Sequence, residues 1–556
     1  MFLKTIFLFA KISLETRWKD EELTTRQFRF QISCFCRAFL FLEGGMYMFI
    51  IQNCSAYKQD GSILFENVSF TINSNDKLAV IGEEGNGKST LMKYICGLDT
   101  GPVDIHAEKF VRQEKIGYLS QQLDPIWNST TVLDYLLKNR PEEEIEISKY
   151  NECIYLEQLW TKMKGSVSFL YSDQMIGTCS GGEKVRLQLL KLMAEKCTML
   201  CLDEPTNDLD IDTLIWLEDM ILGFAGPVLF ISHDEMLLRR CANRVLHLEL
   251  RNKKSKSVVT LYEGYYDDYR KERFEGLRRQ EQIAASEKRA YRKKMDRLND
   301  IYNAVHHAQN AVSRQAPQTA ANLKKKMHAV LSLKERFEKE ELTKTDTVEE
   351  AIDLRLENSW LPSSKIILDI QNMTVSVGEK LLIENVNLLV RGQDHLVLTG
   401  KNGSGKSCLM KVINELLQNR DDLNVGYMPQ NYFELMNPNE TPLQFLDIPM
   451  VEDNLQVSRD LLASLNFKAE EMQHVIQKLS DGQKAKIFFA KFVKMKCNVL
   501  LLDEPTRNLS PMSQPVIHDL INSFEGCVFC VSHDRWLIEK CFSNRIQVQN
   551  KRLIKL

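Results

Sequence analysis

Short apolar runs recur along this chain, each closed by a polar or charged residue. Leu78-Ala-Val-Ile81, Ile116-Gly-Tyr-Leu-Ser-Gln121, Thr198-Met-Leu-Cys-Leu-Asp-Glu204 and Val228-Leu-Phe-Ile-Ser-His233 are of this kind. They are too short for helices and have no polar face, so they predict buried strands. Phe49-Ile-Ile51 and Leu64 to Phe70 read as strands ahead of them, and Leu91 to Cys96 as the start of a helix. Cys179-Ser-Gly-Gly-Glu-Lys-Val-Arg186 opens an amphipathic helix that runs to Lys196. The succession starts again at Leu396-Val-Leu-Thr399 and passes through Val425 to Gln430, Val499 to Glu504 and Val531 to His533. Strands alternating with helices, twice over, predict an α/β fold.

Between the copies the period changes. Tyr291, Met295, Leu298, Tyr302 and Val305 are spaced 4-3-4-3, one stripe of a helix that pairs with another helix. Leu323, Met327, Val330 and Phe337 supply a partner stripe, and Asn310 to Ala321, with its proline and small polar residues, suits a turn. An antiparallel helical hairpin is expected, with an arm from Lys271 to about Asn310 extending roughly 60 Å at 1.5 Å per residue. The expected division is an N-terminal extension (1–47), a first α/β domain (48–262), a hairpin linker (263–345) and a second α/β domain (346–556).

Apolar content of 44% and charged content of 26% describe a globular chain. Fourteen cysteines lack paired metal-ligand spacing, which points to a reducing compartment and a cytoplasmic protein. Cys34-Phe-Cys36 is too tight for a zinc knuckle. No apolar run approaches the roughly 20 residues that span a bilayer, so no membrane association is expected. In the extension, Thr5 to Ala10 is a weak apolar patch without an evident cleavage site. The codons of Glu43-Gly-Gly45, before Met46 and Met48, can spell a purine-rich ribosome-binding sequence, so a bacterial start at Met46 or Met48 is expected.

The chemistry lies in the loops that end the strands. Gly82-Glu-Glu-Gly-Asn-Gly-Lys-Ser-Thr90 and Gly400-Lys-Asn-Gly-Ser-Gly-Lys-Ser-Cys408 fit G-x-x-x-x-G-K-[ST] between strand and helix. Gly82, Gly85, Gly87 and Gly400, Gly403, Gly405 let backbone N–H groups turn onto phosphates, aided by the helix N-terminus. Lys88 and Lys406 reach the β/γ-phosphates of ATP, Ser89 and Ser407 hold Mg²⁺, and Thr90 and Cys408 complete the motif. Asp203 and Asp503 suit the metal, while Glu204 and Glu504 are placed to orient or deprotonate an attacking water. Gln121 and Gln430 end strands near the metal, and His233 and His533 end the strand after each acid pair. Tyr57 either stacks on a purine or is a half-buried strand aromatic.

Ser180 to Ser480, Glu204 to Glu504 and His233 to His533 are each separated by 300 residues, which means tandem copies. P-loop, Gln, Ser-Gly-Gly, Asp-Glu and His in that order resemble the ABC-type ATPase cassette. Two cassettes on one chain, with a charged linker entered by Leu261-Tyr-Glu-Gly-Tyr-Tyr-Asp-Asp-Tyr269, resemble the ABC-F family over about residues 48 to 556. The resemblance implies a monomer closing head to tail on two ATP molecules. Lys88 and Ser89 would then face the signature around Ser480 and Gly482. Lys406 and Ser407 would face Ser180, Gly181 and Gly182. The sites differ: Asp481 stands in the place of Gly181, Ser510 in that of Asp210, and no aromatic matches Tyr57 around Val375 to Val377. Unequal turnover at the two sites is expected.

The linker also carries a sign. Residues 271–330 hold 14 Lys or Arg against 6 Asp or Glu, net +8 on a chain whose total is −3. A basic hairpin suits insertion among RNA phosphates, with His306, His307 and Arg314 at its tip as candidate RNA contacts. The resemblance implies a partner: the bacterial ribosome, where such linkers enter the E site beside large-subunit rRNA and P-site tRNA and reach towards the peptidyl-transferase centre. The short Gln121–Ser180 segment and Glu504-Pro-Thr-Arg-Asn508 resemble the antibiotic-resistance branch, whose members displace lincosamides, pleuromutilins and streptogramin A. The alternatives are a housekeeping translation factor, the ATPase subunit of a transporter, and a DNA-repair ATPase.

Overall fold

The computed structural model describes residues 47–556 apart from 84, 112–114, 146, 164, 208, 252–255, 312–316, 339–358, 379, 449–454, 466, 468, 508 and 513. The expectations for the N-terminal extension, other than its last residue, and for Arg314 lie outside the described residues. In the first copy β1 (Tyr47–Lys58) and β2 (Ile63–Asn73) form an antiparallel layer with β4 (Val103–Val111). Beside it lies a six-stranded sheet. Its strands are β3 (Lys77–Ile81), β5 (Ile116–Leu119), β6 (Met199–Asp203), β7 (Val228–Ile231), β8 (Arg244–Arg251) and β9 (Lys256–Glu263). The order is β5-β6-β7-β3-β8-β9, parallel except for the β8–β9 hairpin.

Every residue of β3, β6 and β7 is buried, as their unbroken apolar runs require of strands covered on both faces. The covering helices are α1 (Lys88–Cys96), α2 (Gly181–Ala194), α3 (Ile211–Gly223) and α4 (Glu235–Cys241). Helix α1 begins at the P-loop lysine itself, earlier than the apolar pattern indicates.

After β9 the chain enters α5 (Tyr266–Ala311) and α6 (Pro317–Glu338), which pack side by side. Leu298 and Val330 are buried between them, and Tyr291, Met295, Tyr302 and Val305 are half-buried while their neighbours are exposed. The 4-3-4-3 stripe is therefore the seam. The expected turn from Asn310 to Ala321 is too long: α6 starts at Pro317, where the ring fixes φ and the missing N–H costs nothing in a first helical turn.

The second copy repeats the first. It has β10 (Ile366–Val377), β11 (Lys380–Arg391), β12 (His395–Gly400), α7 (Lys406–Gln418) and β13 (Val425–Met428). Helix α8 (Asp481–Lys494), β14 (Val499–Asp503), α9 (Gln514–Asn522), β15 (Cys527–Val531), α10 (Arg535–Cys541), β16 (Asn544–Gln549) and β17 (Arg552–Lys555) follow. The sheet order β13-β14-β15-β12-β16-β17 matches the first strand for strand. Among the described residues no helix is long and apolar enough to cross a membrane.

Replacing Leu298 by Glu puts a charge in the seam of the hairpin alone. Limited proteolysis should cut the arm far faster in this variant, with ATP binding unchanged; loss of ATP binding as well would mean that the arm is integral to the cassettes.

Candidate active sites: two P-loop clefts

Each P-loop leaves the carboxyl end of a parallel strand and enters a helix. Gly82 has φ +145°, and a Cβ there would meet the Leu248 carbonyl oxygen at 2.3 Å. Gly87, at φ +79°, caps α1, and a Cβ would press on Phe65 at 2.9 Å. The loop is thus both left-handed and tightly seated, which only glycine tolerates. Lys88 and Lys406 are buried and curl back over their loops. Lys88 Nζ donates to the carbonyls of Gly82 (2.7 Å) and Glu83 (2.8 Å). Lys406 Nζ donates to those of Gly400 (2.8 Å) and Lys401 (3.0 Å).

The acid pairs sit on the neighbouring strand ends. Ser89 Oγ donates to Asp203 Oδ1 at 2.9 Å, and the Tyr118 hydroxyl donates to Asp203 Oδ2 at 2.9 Å. Burial raises the Asp203 carboxyl, against those two hydrogen bonds. The next residue, Glu204, has φ +48°, and its counterpart Glu504 has φ +56°. A non-glycine residue held there costs roughly 1–3 kcal/mol, and the kink is what sets each glutamate off the line of its strand. Glu204 then gathers Gln121 Nε2 (2.9 Å), Asn207 Nδ2 (2.7 Å) and, at 3.4 Å, His233 Nε2. Burial pushes its carboxyl up, but His233, Asn207 and Lys88 together outweigh that and hold it at about 2.

The second site differs in detail. Burial and the Asp503 charge push Glu504 upward, against the His533 N–H at 3.2 Å and Lys406. His533 Nε2 lies 3.7 Å from Glu504, and burial beside Lys406 lowers that imidazole to about 4. Ser407 faces Asp503, whereas the buried Tyr427 hydroxyl has no hydrogen-bond partner. Gln430 is exposed just beyond β13.

Both signatures open helices. Ser180 caps α2, accepting from Glu183 N at 3.3 Å, and Ser480 caps α8, accepting from Gln483 N at 3.2 Å. Gly181 and Gly182 form the first turn of α2, and a Cβ on Gly182 would meet Thr213 at 3.1 Å. Gly482 occupies the first turn of α8, where Asp481 is bonded to the Lys484 ammonium at 2.7 Å.

A cleft of about 720 Å³ lies over the first P-loop, lined by Gly85, Gly87, Lys88, Ser89, Thr90, Gln121 and Glu204. Its far wall is the β1–β2 turn, Lys58 to Asp60, and not Tyr57, whose hydroxyl donates to Glu66 at 2.9 Å. Among the described residues, none of the second signature lines it. A second cleft, of about 640 Å³, lies between the P-loop residues Gly400, Lys401, Gly403 and Ser404 and the first copy's Asp210 and Asp212. Cys408 is half-buried on α7.

These donors fit ATP and Mg²⁺. Hydroxyl and carboxylate oxygens with a nearby amide are what a hard, octahedral cation takes alongside phosphate oxygens. Bound there, Mg²⁺ would offset charge on the transferring phosphate. The sequence reading missed Tyr118 and Asn207. Tyr118 was detectable, since Gly-Tyr recurs as Gly426-Tyr427. Asn207 was not, since Arg507 stands in its place.

The model of the ABC transporter family matches residues 65–207 and 383–507, from before each P-loop to just past each acid pair. The protein carries two ABC-type ATPase cassettes in tandem and hydrolyses ATP. Along most of its length it is similar to curated proteins of bacteria and plants. It is 26% identical over 525 residues to the ribosome protection protein VmlR of Bacillus subtilis, covering 90% of this chain and 86% of that one. It is 25% identical over 536 residues to ABC transporter F family member 2 of Arabidopsis thaliana, covering 88% and 75%. Among solved structures it is similar to the archaeal ribosome recycling factor aABCE1, solved with the stalk protein aP1. There the TM-score is 0.54 at 15% identity over 89% of this chain and 87% of that one, a likeness of fold.

The surroundings of Glu204 lower its carboxyl and those of Glu504 raise it. Steady-state hydrolysis should fall about 100-fold in Glu204→Gln, the scale of a lost general base, and much less in Glu504→Gln. The turnover left in Glu204→Gln should rise as pH passes through about 8, because the raised Glu504 carboxyl loses its proton there and only then serves as a base. That left in Glu504→Gln should stay flat. Equal losses and parallel pH profiles would refute the asymmetry.

Proposed function

We propose that the protein binds the bacterial ribosome in its ATP-loaded state. Its linker enters the E-site region beside large-subunit rRNA and P-site tRNA and protects the peptidyl-transferase centre from lincosamide, pleuromutilin and streptogramin A drugs. The observation that carries this reading is the linker itself. Helix α5 has 46 residues, about 69 Å at 1.5 Å per residue. Its apolar stripe is spent on α6, so its basic residues face outward on an otherwise acidic chain. A rigid rod with that charge is attracted to phosphate and penetrates where a flexible spacer does not. Near its far end, exposed His306 and His307 adjoin Tyr302, whose ring stacks on His306 at 6.0 Å and 15°. These rings offer flat faces to unpaired bases.

The relatives support the same direction, since one of them is named for ribosome protection. In this reading the cassettes close head to tail in a cytoplasmic monomer. Closure brings Ser480 and Gly482 to the first cleft and Ser180, Gly181 and Gly182 to the second, with one ATP in each. Binding is coupled to the closed state and release to hydrolysis.

Glu204→Gln/Glu504→Gln protein should co-sediment with ribosomes in ATP and not without it. Expression of the wild-type protein should raise the drug concentration a susceptible strain survives. Sedimentation without protection would leave a housekeeping translation factor; no sedimentation despite bound ATP would refute the ribosome reading.

A further inference from the structure

The root of the linker is bound to the loop that carries the first catalytic histidine. Tyr266 and Tyr269, in the first turn of α5, are buried, and Arg273 pairs with Glu249 on β8. Arg270 pairs with Glu235, the first residue of α4 and the second after His233. The Glu235 side chain is fully buried and also takes Arg239 at 3.0 Å. Arg239 in turn holds Asp267 of α5 at 3.0 Å and lies 3.7 Å over the Trp536 ring of the second cassette. The other carboxylate oxygen of Glu235, Oε2, is buried without a hydrogen-bond partner, so the group is held by its arginines on one side only.

The three consecutive residues His233, Asp234 and Glu235 thus have separate tethers. Gln514 of the second cassette donates to the His233 carbonyl at 2.8 Å. Arg535 of the second cassette lies 3.4 Å from Asp234 and pairs with buried Glu218. Glu235 belongs to the linker. The arrangement has no mirror image in the second copy: 300 residues on from Glu235 stands Arg535, a base, whose partners are again in the first cassette.

We propose that Glu235 is a positioning residue that couples the linker arm to the first catalytic centre, and to that centre alone. A tilt of α5 carries Arg270, Arg270 carries Glu235, and the short backbone between Glu235 and His233 transmits the movement to the His233–Glu204 contact. The same short backbone joins the first cleft to the root of α5, so nucleotide in that cleft also moves the arm. The inference rests on ATP hydrolysis and not on the ribosome reading, and its test needs no ribosome.

Arg270→Met is placed in Glu504→Gln protein, where only the first site turns over, and in Glu204→Gln protein, where only the second does. In the first background kcat should fall about tenfold, a part of the loss that a displaced catalytic group brings, at unchanged KM for ATP. In the second background it should be unaffected, and Arg270→Lys should restore most of the loss. Equal losses in both backgrounds, or none in the first, would overturn the proposal. Glu235→Gln carries the same comparison if Arg270→Met does not fold. Independently, ATP should alter amide hydrogen exchange along α5 in Glu204→Gln/Glu504→Gln protein and should fail to do so once Arg270→Met is added. An α5 that responds to ATP identically in both proteins would equally overturn it.

Discussion

Everything catalytic in this molecule depends on three parallel strands ending in one plane. Strands β3, β7 and β6 are neighbours, so the P-loop, the histidine loop and the acid pair leave the sheet side by side, although the sequence spreads them from Gly82 to His233. Contacts between those ends then fix the chemistry: a hydrogen bond from Ser89 to Asp203 ties the first loop to the acids, and the His233 imidazole lies 3.4 Å from Glu204 at the end of the third. Parallel strands are buried on both faces, so the polar groups can emerge only at their carboxyl ends.

Duplication supplied the same frame twice, and divergence has acted on what surrounds it. The strand orders agree, the glutamates share the same left-handed kink, and both lysines fold back on their loops. The partners of the glutamates do not agree. Where the first has Gln121, Asn207 and a close imidazole, the second is buried beside Asp503, and Arg507 stands in the place of Asn207. One scaffold therefore shifts the proton affinities of two like carboxylates in opposite directions, which is how proteins commonly divide roles between like residues. The carboxylate of Asp481, which looks hostile to a triphosphate in the sequence, is offset by Lys484.

The fold was legible because its signals are local and repeated. Apolar runs, glycine loops and the 300-residue offset identify strands, phosphate loops and duplication without any knowledge of contacts. The hairpin was legible for the same reason, through Leu298 and Val330 in a seven-residue pattern. Its turn was overestimated because Asn310 to Ala321 is rich in small polar residues, and only tertiary pairing decides that Pro317 begins a helix instead of ending one. Long-range links were out of reach. Gln514 lies 281 residues from His233, and nothing in either neighbourhood announces the hydrogen bond between them. The arginines at the root of α5 look like any charged helix surface until the sheet beneath them is in place.

The length of α5 turns its anchorage into leverage. The helix is continuous from a buried tyrosine in its first turn to its last residue, so it pivots at one end only. Over about 69 Å a rotation of about 5° at the root sweeps the far end through about 6 Å, roughly a full helical turn. Displacements too small to disturb packing around a nucleotide become, at the other end, movements as large as a side chain.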